Sequence, residues 1–196
     1  MKKYFYVATG IIILLSSLVF GQDQNKSKFS LEFNPGVSSH LNKIDNSGSD
    51  IGVGFEGILH YQIDSDFGVF AGWGWNRFNI EKTFAGTNNP YEETGYIIGA
   101  QYKLPLKNSN YNLFFRAAAL YNHIEIENSD GQITYNTGHG LGFQAAAGIE
   151  IPVGYGWSIN PGVKFNLLNR NLDLAGISKE ISYNYISLRV GISKNL

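Results

Sequence analysis

Four histidines are the side chains of this 196-residue sequence that could act as a general base near neutral pH: His40, His60, His123 and His139. A hydrolase needs such a base beside a hydroxyl nucleophile and an acid. Ser38 and Ser39 adjoin His40, and Glu125 follows shortly after His123. We interpret both arrangements as polar residues at a wet rim of the fold and His60 as a hydrogen-bonding residue. The sequence therefore predicts no catalytic residue.

The remaining polar motifs do not indicate a metal or cofactor site. Histidines and carboxylates do not cluster at metal-ligand spacing along the chain, and the absence of cysteine excludes thiolate ligands. Residues 45–50 resemble a calcium loop but lack its distal glutamate. The glycine motifs at 52–54 and 72–74 lie inside strand-like segments and open no helix, unlike phosphate-binding loops. We predict no metal and no cofactor.

The amino terminus is typical of a secretory signal peptide. Two lysines precede a mostly apolar run that ends near residue 20. We predict cleavage between Gly21 and Gln22, so that residues 1–21 are the signal peptide and residues 22–196 form one domain. A permanent membrane anchor at the amino terminus is the alternative.

Composition excludes several classes of protein. Charged residues make up 16% of the chain, against about 25% in ordinary soluble domains. The net charge of −1 provides no basic surface for nucleic acid. After the signal peptide, no apolar run reaches the roughly 20 residues of a membrane-spanning helix. An exported chain that is poor in charge and rich in aromatic residues is typical of a membrane-embedded β-barrel.

Apolar residues recur with a period of two along most of the mature chain. Leu141, Phe143 and Ala145, for example, alternate with Gly142 and Gln144, as in a strand whose two faces meet different environments. Eight such segments can be drawn, each long enough for a tilted membrane strand of about 9–11 residues: 29–39, 51–63, 67–78, 93–104, 111–123, 139–151, 156–168 and 183–193.

The connections between these segments alternate between short and long. The long ones span residues 40–50, 80–92, 124–138 and 169–182, whereas the others are short turns. Outer-membrane barrels show the same asymmetry, with short periplasmic turns and longer outside loops. The sequence therefore predicts an all-β fold, an eight-stranded antiparallel up-and-down transmembrane β-barrel.

The polar faces of the predicted strands distinguish a membrane barrel from a soluble one. They hold mostly Gly, Asn, Ser and Gln, which suits the narrow lumen of eight strands better than a water-exposed exterior. A soluble lipocalin-like barrel or a β-sandwich is the alternative. Aromatic residues gather near strand ends, where a bilayer would place its interfaces: Tyr61, Phe67, Tyr102 and Trp157 toward the periplasm, and Trp73, Trp75, Tyr96 and Tyr121 toward the outside.

Six charged side chains on the polar faces are predicted to form a structural network in the lumen, because an unpaired charge in a narrow lumen is costly: Glu32, Glu56, Glu150, Arg116, Lys164 and Arg189. Glu32 lies near the start of the first strand and Arg189 near the end of the last. We predict that these two pair where the barrel closes. Glu56, Arg116 and Lys164 lie nearer mid-height and form a second group. The alternative is that each charge meets lumen water.

These features resemble the small outer-membrane β-barrel proteins of the OmpA and OmpX type. The resemblance rests on the signal peptide, the eight alternating segments, the loop asymmetry and the final alternating run, YNYISLRVGI, at residues 183–192. It implies Sec export, location in the outer membrane, contact with outer-membrane lipid and lipopolysaccharide, and insertion by the barrel-assembly machinery. The last strand of such families ends in an aromatic residue, whereas this sequence ends at Leu196.

Three functions are compatible with such a barrel. The first is non-enzymatic, structural or adhesive, and acts through four outside loops on a ligand that the sequence does not identify. The second is porin-like or lateral transport of small or hydrophobic solutes, although eight strands leave little lumen for an open aqueous pore. The third is lipid A modification. Lipid A deacylases of this architecture have a His-x-Ser signature, and the residues around His40 and His123 do not match it. We expect the first.

Overall fold

The computed structural model describes residues 27–41, 51–83, 86–128, 132–174 and 177–196. Among them, no helix is both long and apolar enough to cross a membrane. The strands are β1 (Phe29–Phe33), β2 (Gly36–His40), β3 (Ile51–Gln62), β4 (Phe67–Thr83), β5 (Gly86–Pro105), β6 (Asn112–Glu127), β7 (Ile133–Asn136), β8 (Gly140–Gly154), β9 (Trp157–Leu174), β10 (Ile177–Ser182) and β11 (Tyr185–Asn195).

These strands form a closed antiparallel barrel with eight staves, meaning the eight strand positions around its wall. This confirms the predicted fold. β1 and β2 make the first stave, because both pair in one continuous register with β3 on one side and β11 on the other. Between them, Asn34 still exchanges backbone hydrogen bonds with Glu56 at 2.8 and 3.2 Å. Pairing of β11 with both β9 and the first stave closes the sheet into a barrel.

Three of the four predicted outside loops consist mostly of strand, so the loop prediction was wrong there. β4 and β5 pair as far as Thr83 and Gly86, β6 continues to Glu127 and pairs with β7, and β9 pairs with β10. Beyond the bilayer both faces of a ribbon meet water, so the apolar–polar alternation fades although the ladder of hydrogen bonds persists. In the fourth segment, residues 42–50 lie outside the described residues.

The periplasmic turns are short and built by local chemistry. In the β3–β4 turn, Asp64 Oδ1 accepts hydrogen bonds from the backbone N–H groups of Asp66 at 2.9 Å and Phe67 at 2.8 Å. These two bonds hold the pKa of the Asp64 carboxyl below its usual range. The β8–β9 turn places Tyr155 and Gly156 at φ values of 51° and 74°, as a two-residue hairpin turn of the primed type requires.

The barrel buries polar side chains inside and exposes apolar ones outside. Glu56 and Lys164 in the lumen are 2% and 3% exposed, whereas Leu141 and Ile98 on the outer wall are 76% and 67% exposed. Such an arrangement is stable only where the outer wall meets hydrocarbon, and it follows the predicted orientation of the two faces. Seven of the eight aromatic residues predicted near the interfaces are exposed on the outer wall: Tyr61, Phe67, Trp73, Tyr96, Tyr102, Tyr121 and Trp157.

Candidate functional site

The periplasmic half of the lumen is crossed by a buried ion pair between Glu32 of β1 and Arg116 of β6. Arg116 Nη2 donates to Glu32 Oε2 at 2.6 Å and Nη1 to Oε1 at 3.1 Å, which is the two-pronged geometry that guanidinium and carboxylate favour. His60 Nε2 lies 3.0 Å from the same Oε2 atom, and Arg116 Nε donates to Gln101 at 2.7 Å. The side chains of Glu32 and Arg116 are only 2% and 7% exposed, so the pair is shielded from solvent.

A second buried pair joins Glu56 of β3 to Lys164 of β9 nearer mid-height. Lys164 Nζ lies 2.5 Å from Glu56 Oε1. Gln144 donates to the same oxygen at 2.8 Å, and Asn34 donates to the other carboxylate oxygen at 3.4 Å. Because each oxygen of Glu56 has a donor, the buried carboxylate is compensated by charge and by hydrogen bonds together.

Arg189 does not pair with Glu32, so that predicted pair was wrong. Arg189 donates instead to the carbonyl oxygen of Asn34, at 3.3 Å, and to Asn76 Oδ1. Glu32 lies opposite Ser193 on β11, whereas Arg189 lies opposite Gly36. The two side chains therefore sit four residues apart along the barrel wall, about 13 Å at the usual rise per residue. Arg116 reaches Glu32 across the lumen instead.

Glu150 belongs to a separate group near the periplasmic end. Lys103 of β5 lies 2.5 Å from one of its carboxylate oxygens, and Asn112 of β6 donates to the other at 3.0 Å. Sequence reasoning missed Lys103, although the alternation of β5 places it on the same face as the buried Gln101. Continuing the inside–outside alternation along β5 would have assigned Lys103 to the lumen.

Two further lumen charges were also missed, because they lie at or beyond the ends of the predicted segments. Glu93 of β5 is 1% exposed and accepts hydrogen bonds from the Tyr185 hydroxyl at 2.5 Å and from Asn122. Arg170 of β9 donates to four backbone carbonyls, including that of Gly140 at 2.7 Å. Arg170 keeps the parity of Lys164, so the same extension of alternation would have placed it in the lumen.

An apolar cluster fills the lumen toward its outer end: Phe78, Tyr91, Leu120, Ile124, Ile126, Leu168, Tyr183 and Tyr185. His40 packs into this cluster, with ring centroids 4.1 Å from Phe78 and 4.4 Å from Tyr183. The Ser38 hydroxyl hydrogen-bonds to the Ser187 hydroxyl at 2.7 Å. His40 therefore packs among aromatic rings, and the Ser38 hydroxyl is bonded to another serine rather than to an imidazole.

The space left inside the lumen is small. A cavity of about 20 Å³ lies among the side chains of Glu56, Arg116 and Lys164. A single water molecule needs about that much room. The described side chains around this cavity are ion pairs, amides and rings, and the space between them has room for about one water molecule.

The outer rim carries a pair of histidines that the sequence left apart. His123 of β6 and His139, which precedes β8, approach with Nδ1 and Nε2 at 3.2 Å. His123 Nε2 lies 3.3 Å from Glu125 Oε1. No group of three or more histidine, cysteine, aspartate or glutamate side chains able to hold a metal occurs in the described ranges. Of the other predicted sites, the cleavage position at Gly21 and Gln22 lies outside the described residues.

Comparison with known proteins gives a family and a shared fold. Residues 11–193 match the model of the family described as outer membrane protein beta-barrel domain. A search of curated protein sequences gives no match.

Solved structures that resemble the chain include neisserial surface protein A, at 13% identity, a TM-score of 0.66, and coverage of 87% of this chain and 98% of that one. OprG from Pseudomonas aeruginosa matches at 10% identity and a TM-score of 0.53, over 87% and 98% of the two chains. Ail, the attachment invasion locus protein of Yersinia pestis, matches at 12% identity and a TM-score of 0.51, over 85% and 97%. At such identities the likeness is one of fold.

The family match and the closed barrel with its apolar outer wall agree with each other. The protein belongs to the outer membrane protein β-barrel domain family and is located in the outer membrane.

Proposed function

We propose that this protein is a non-enzymatic outer-membrane barrel that acts at the cell surface, in a structural or adhesive role, through its outer hairpins. The observation that carries the proposal is the filled lumen. Passage of a solute would have to break the Glu32–Arg116 and Glu56–Lys164 pairs, and leaving a buried charge without its partner costs about 3–5 kcal/mol. Function is then left to the surfaces outside the barrel.

The outer hairpins provide such a surface. β5 is 20 residues long and β9 is 18, whereas about 9–11 residues suffice to cross a bilayer. The surplus residues of the paired strands extend beyond the membrane as two-stranded ribbons, which hold their loops away from the lipid. Ail, which shares the fold, is named as an attachment invasion locus protein.

The proposal includes the surroundings of the barrel. Outer-membrane phospholipid and lipopolysaccharide cover the apolar outer wall, and the barrel-assembly machinery inserts the chain. Because the Ser38 hydroxyl is hydrogen-bonded to Ser187 and not to His40, we expect the protein to leave lipid A unmodified. Mass spectra of lipid A from cells with and without the gene are expected to be identical, and a gene-dependent acyl change would contradict the non-enzymatic role.

Conductance in planar bilayers tests the filled lumen. The refolded protein should give no stepwise conductance above that of the protein-free bilayer, whereas a general porin measured in the same membrane gives clear steps. Removal of the mid-lumen pair in the double variant Glu56→Ala/Lys164→Ala provides a matched comparison, because it widens the middle of the lumen without altering the hairpins. Regular unitary steps from the wild-type protein would favour the transport function instead.

Attachment assays test the role of the hairpins. Replacement of residues 171–181, at the outer end of β9 and β10, by an Asn-Gly turn should leave the barrel folded, as judged by its shifted migration on unheated gels. Cells that display this variant should attach less to uncoated polystyrene than cells that display the wild type. Equal attachment after all outer hairpins have been shortened would refute the adhesive role and leave the structural one.

A further inference from the structure

His123 and His139 are brought together by the hairpin that joins β6 to β8. The two residues are sixteen positions apart in the sequence, yet His123 Nδ1 and His139 Nε2 lie 3.2 Å apart. Two nitrogen ligands at the usual 2.0–2.1 Å from a tetrahedral Zn²⁺ are separated by about 3.3 Å. The spacing of the ring nitrogens is therefore that of two ligands on one metal.

We propose that His123 and His139 form a two-histidine binding site for Zn²⁺ at the outer rim of the barrel. In the hydrogen-bonded arrangement the two nitrogens point at each other. To bind one Zn²⁺, each ring would turn by about 35°, so that the lone pairs of His123 Nδ1 and His139 Nε2 point at a common position beside the line that joins them. Imidazole nitrogen is a preferred ligand of Zn²⁺. Two protein ligands leave two positions of the tetrahedron for water or for an external ligand.

Glu125 supports this assignment, because it lies on the far side of the His123 ring. Its Oε1 atom is 3.3 Å from His123 Nε2 and also accepts a hydrogen bond from Asn136 at 2.8 Å. A carboxylate this close to Nε2 favours the tautomer with the proton on Nε2, in which the lone pair of Nδ1 can bind a metal in place of the His139 ring. Glu125 is thus a positioning residue for the site.

The second ligand is also held in place. The ring of Tyr121 stacks on the ring of His139 with centroids 5.0 Å apart and planes inclined by 30°. Tyr121 itself lies in a row of outward aromatic residues, directly opposite Tyr96, which in turn lies opposite Trp73. His123 lies two residues further out along β6, so the site sits just beyond the aromatic row and open to water.

Metal titration of the refolded barrel tests the proposal. Calorimetric titration with Zn²⁺ in detergent micelles should give one site per chain. His123→Gln and His139→Gln should each weaken Zn²⁺ binding by well over tenfold. Both substitutions are near the surface, and shifted migration on unheated gels reports whether each variant is folded.

Glu125→Gln and Glu127→Gln form a matched pair, because both remove one carboxylate from the outward face of β6. The described contact of Glu127 is with Arg77, at 3.7 Å, and not with either histidine. Glu125→Gln should weaken Zn²⁺ binding by about tenfold or more while leaving the barrel stable, and Glu127→Gln should leave binding unchanged. The proposal is overturned if folded His139→Gln binds Zn²⁺ like the wild type, or if both glutamate variants weaken binding equally, which would indicate attraction by charge alone.

Discussion

The Glu32–Arg116 pair gives the sharpest test of how the lumen is held together. Both side chains are almost fully buried, and the two hydrogen bonds between them measure 2.6 and 3.1 Å. Removal of one partner leaves an uncompensated buried charge, so Glu32→Gln and Arg116→Met should each lower the free energy of unfolding by about 3–5 kcal/mol. The double variant leaves no such charge. The stability loss of the double variant should therefore be clearly smaller than the sum of the two single losses. The difference, which is the coupling free energy of the pair, should lie near the top of the usual range of about 0.5–3 kcal/mol.

Urea unfolding in lipid vesicles, followed by tryptophan fluorescence, measures the free energies of unfolding of the wild type, the two single variants and the double variant. The matched control is the cycle of Glu32→Gln with Arg189→Met. These two charged side chains lie in the lumen on neighbouring staves but do not contact each other. That cycle should be additive within about 0.5 kcal/mol. Additivity of the Glu32–Arg116 cycle, or equal coupling in the two cycles, would refute the pairing across the lumen.

Three other predictions concern the outer wall, a periplasmic turn and the precursor. Ala145→Arg places a charge on the lipid face and should cost about 2–4 kcal/mol of stability in refolding titrations if it lies near mid-bilayer. Asn128→Arg, outside the bilayer, should be tolerated. Equal tolerance of the two substitutions would mean that the lipid face and the lumen face have been assigned the wrong way round. The lowered pKa of Asp64 means that its turn stabilises the barrel at neutral pH and loses this contribution as the pH falls below the usual range of an aspartate. Asp64→Asn should therefore show a weaker loss of stability on acidification, measured by urea unfolding at several pH values. Amino-terminal sequencing of the outer-membrane protein should begin at Gln22, and an intact first methionine would contradict cleavage.

Alternation along each strand was enough to predict the fold and the direction of most side chains. Gln144 points into the lumen and Ala145 outward, as their parity predicts, because neighbouring side chains of a strand must point to opposite faces. The same rule would have placed Glu93 and Arg170 in the lumen if it had been carried past the apolar part of the strands. The apolar–polar contrast fades in the outer hairpins, and there the strands were predicted as loops.

Parity determines the face of a residue, but it does not determine its height in the barrel or its partner across the lumen. Those depend on the tilt and stagger with which eight staves close, which are properties of the whole sheet. Glu32 therefore meets Arg116, 84 positions away, and not Arg189 on the adjacent stave. His123 likewise meets His139 only because the hairpin folds back beside β6. The sequence by itself thus determined an inside-out β-barrel with a charged lumen, and only the closure of the sheet decided which charges and which histidines meet.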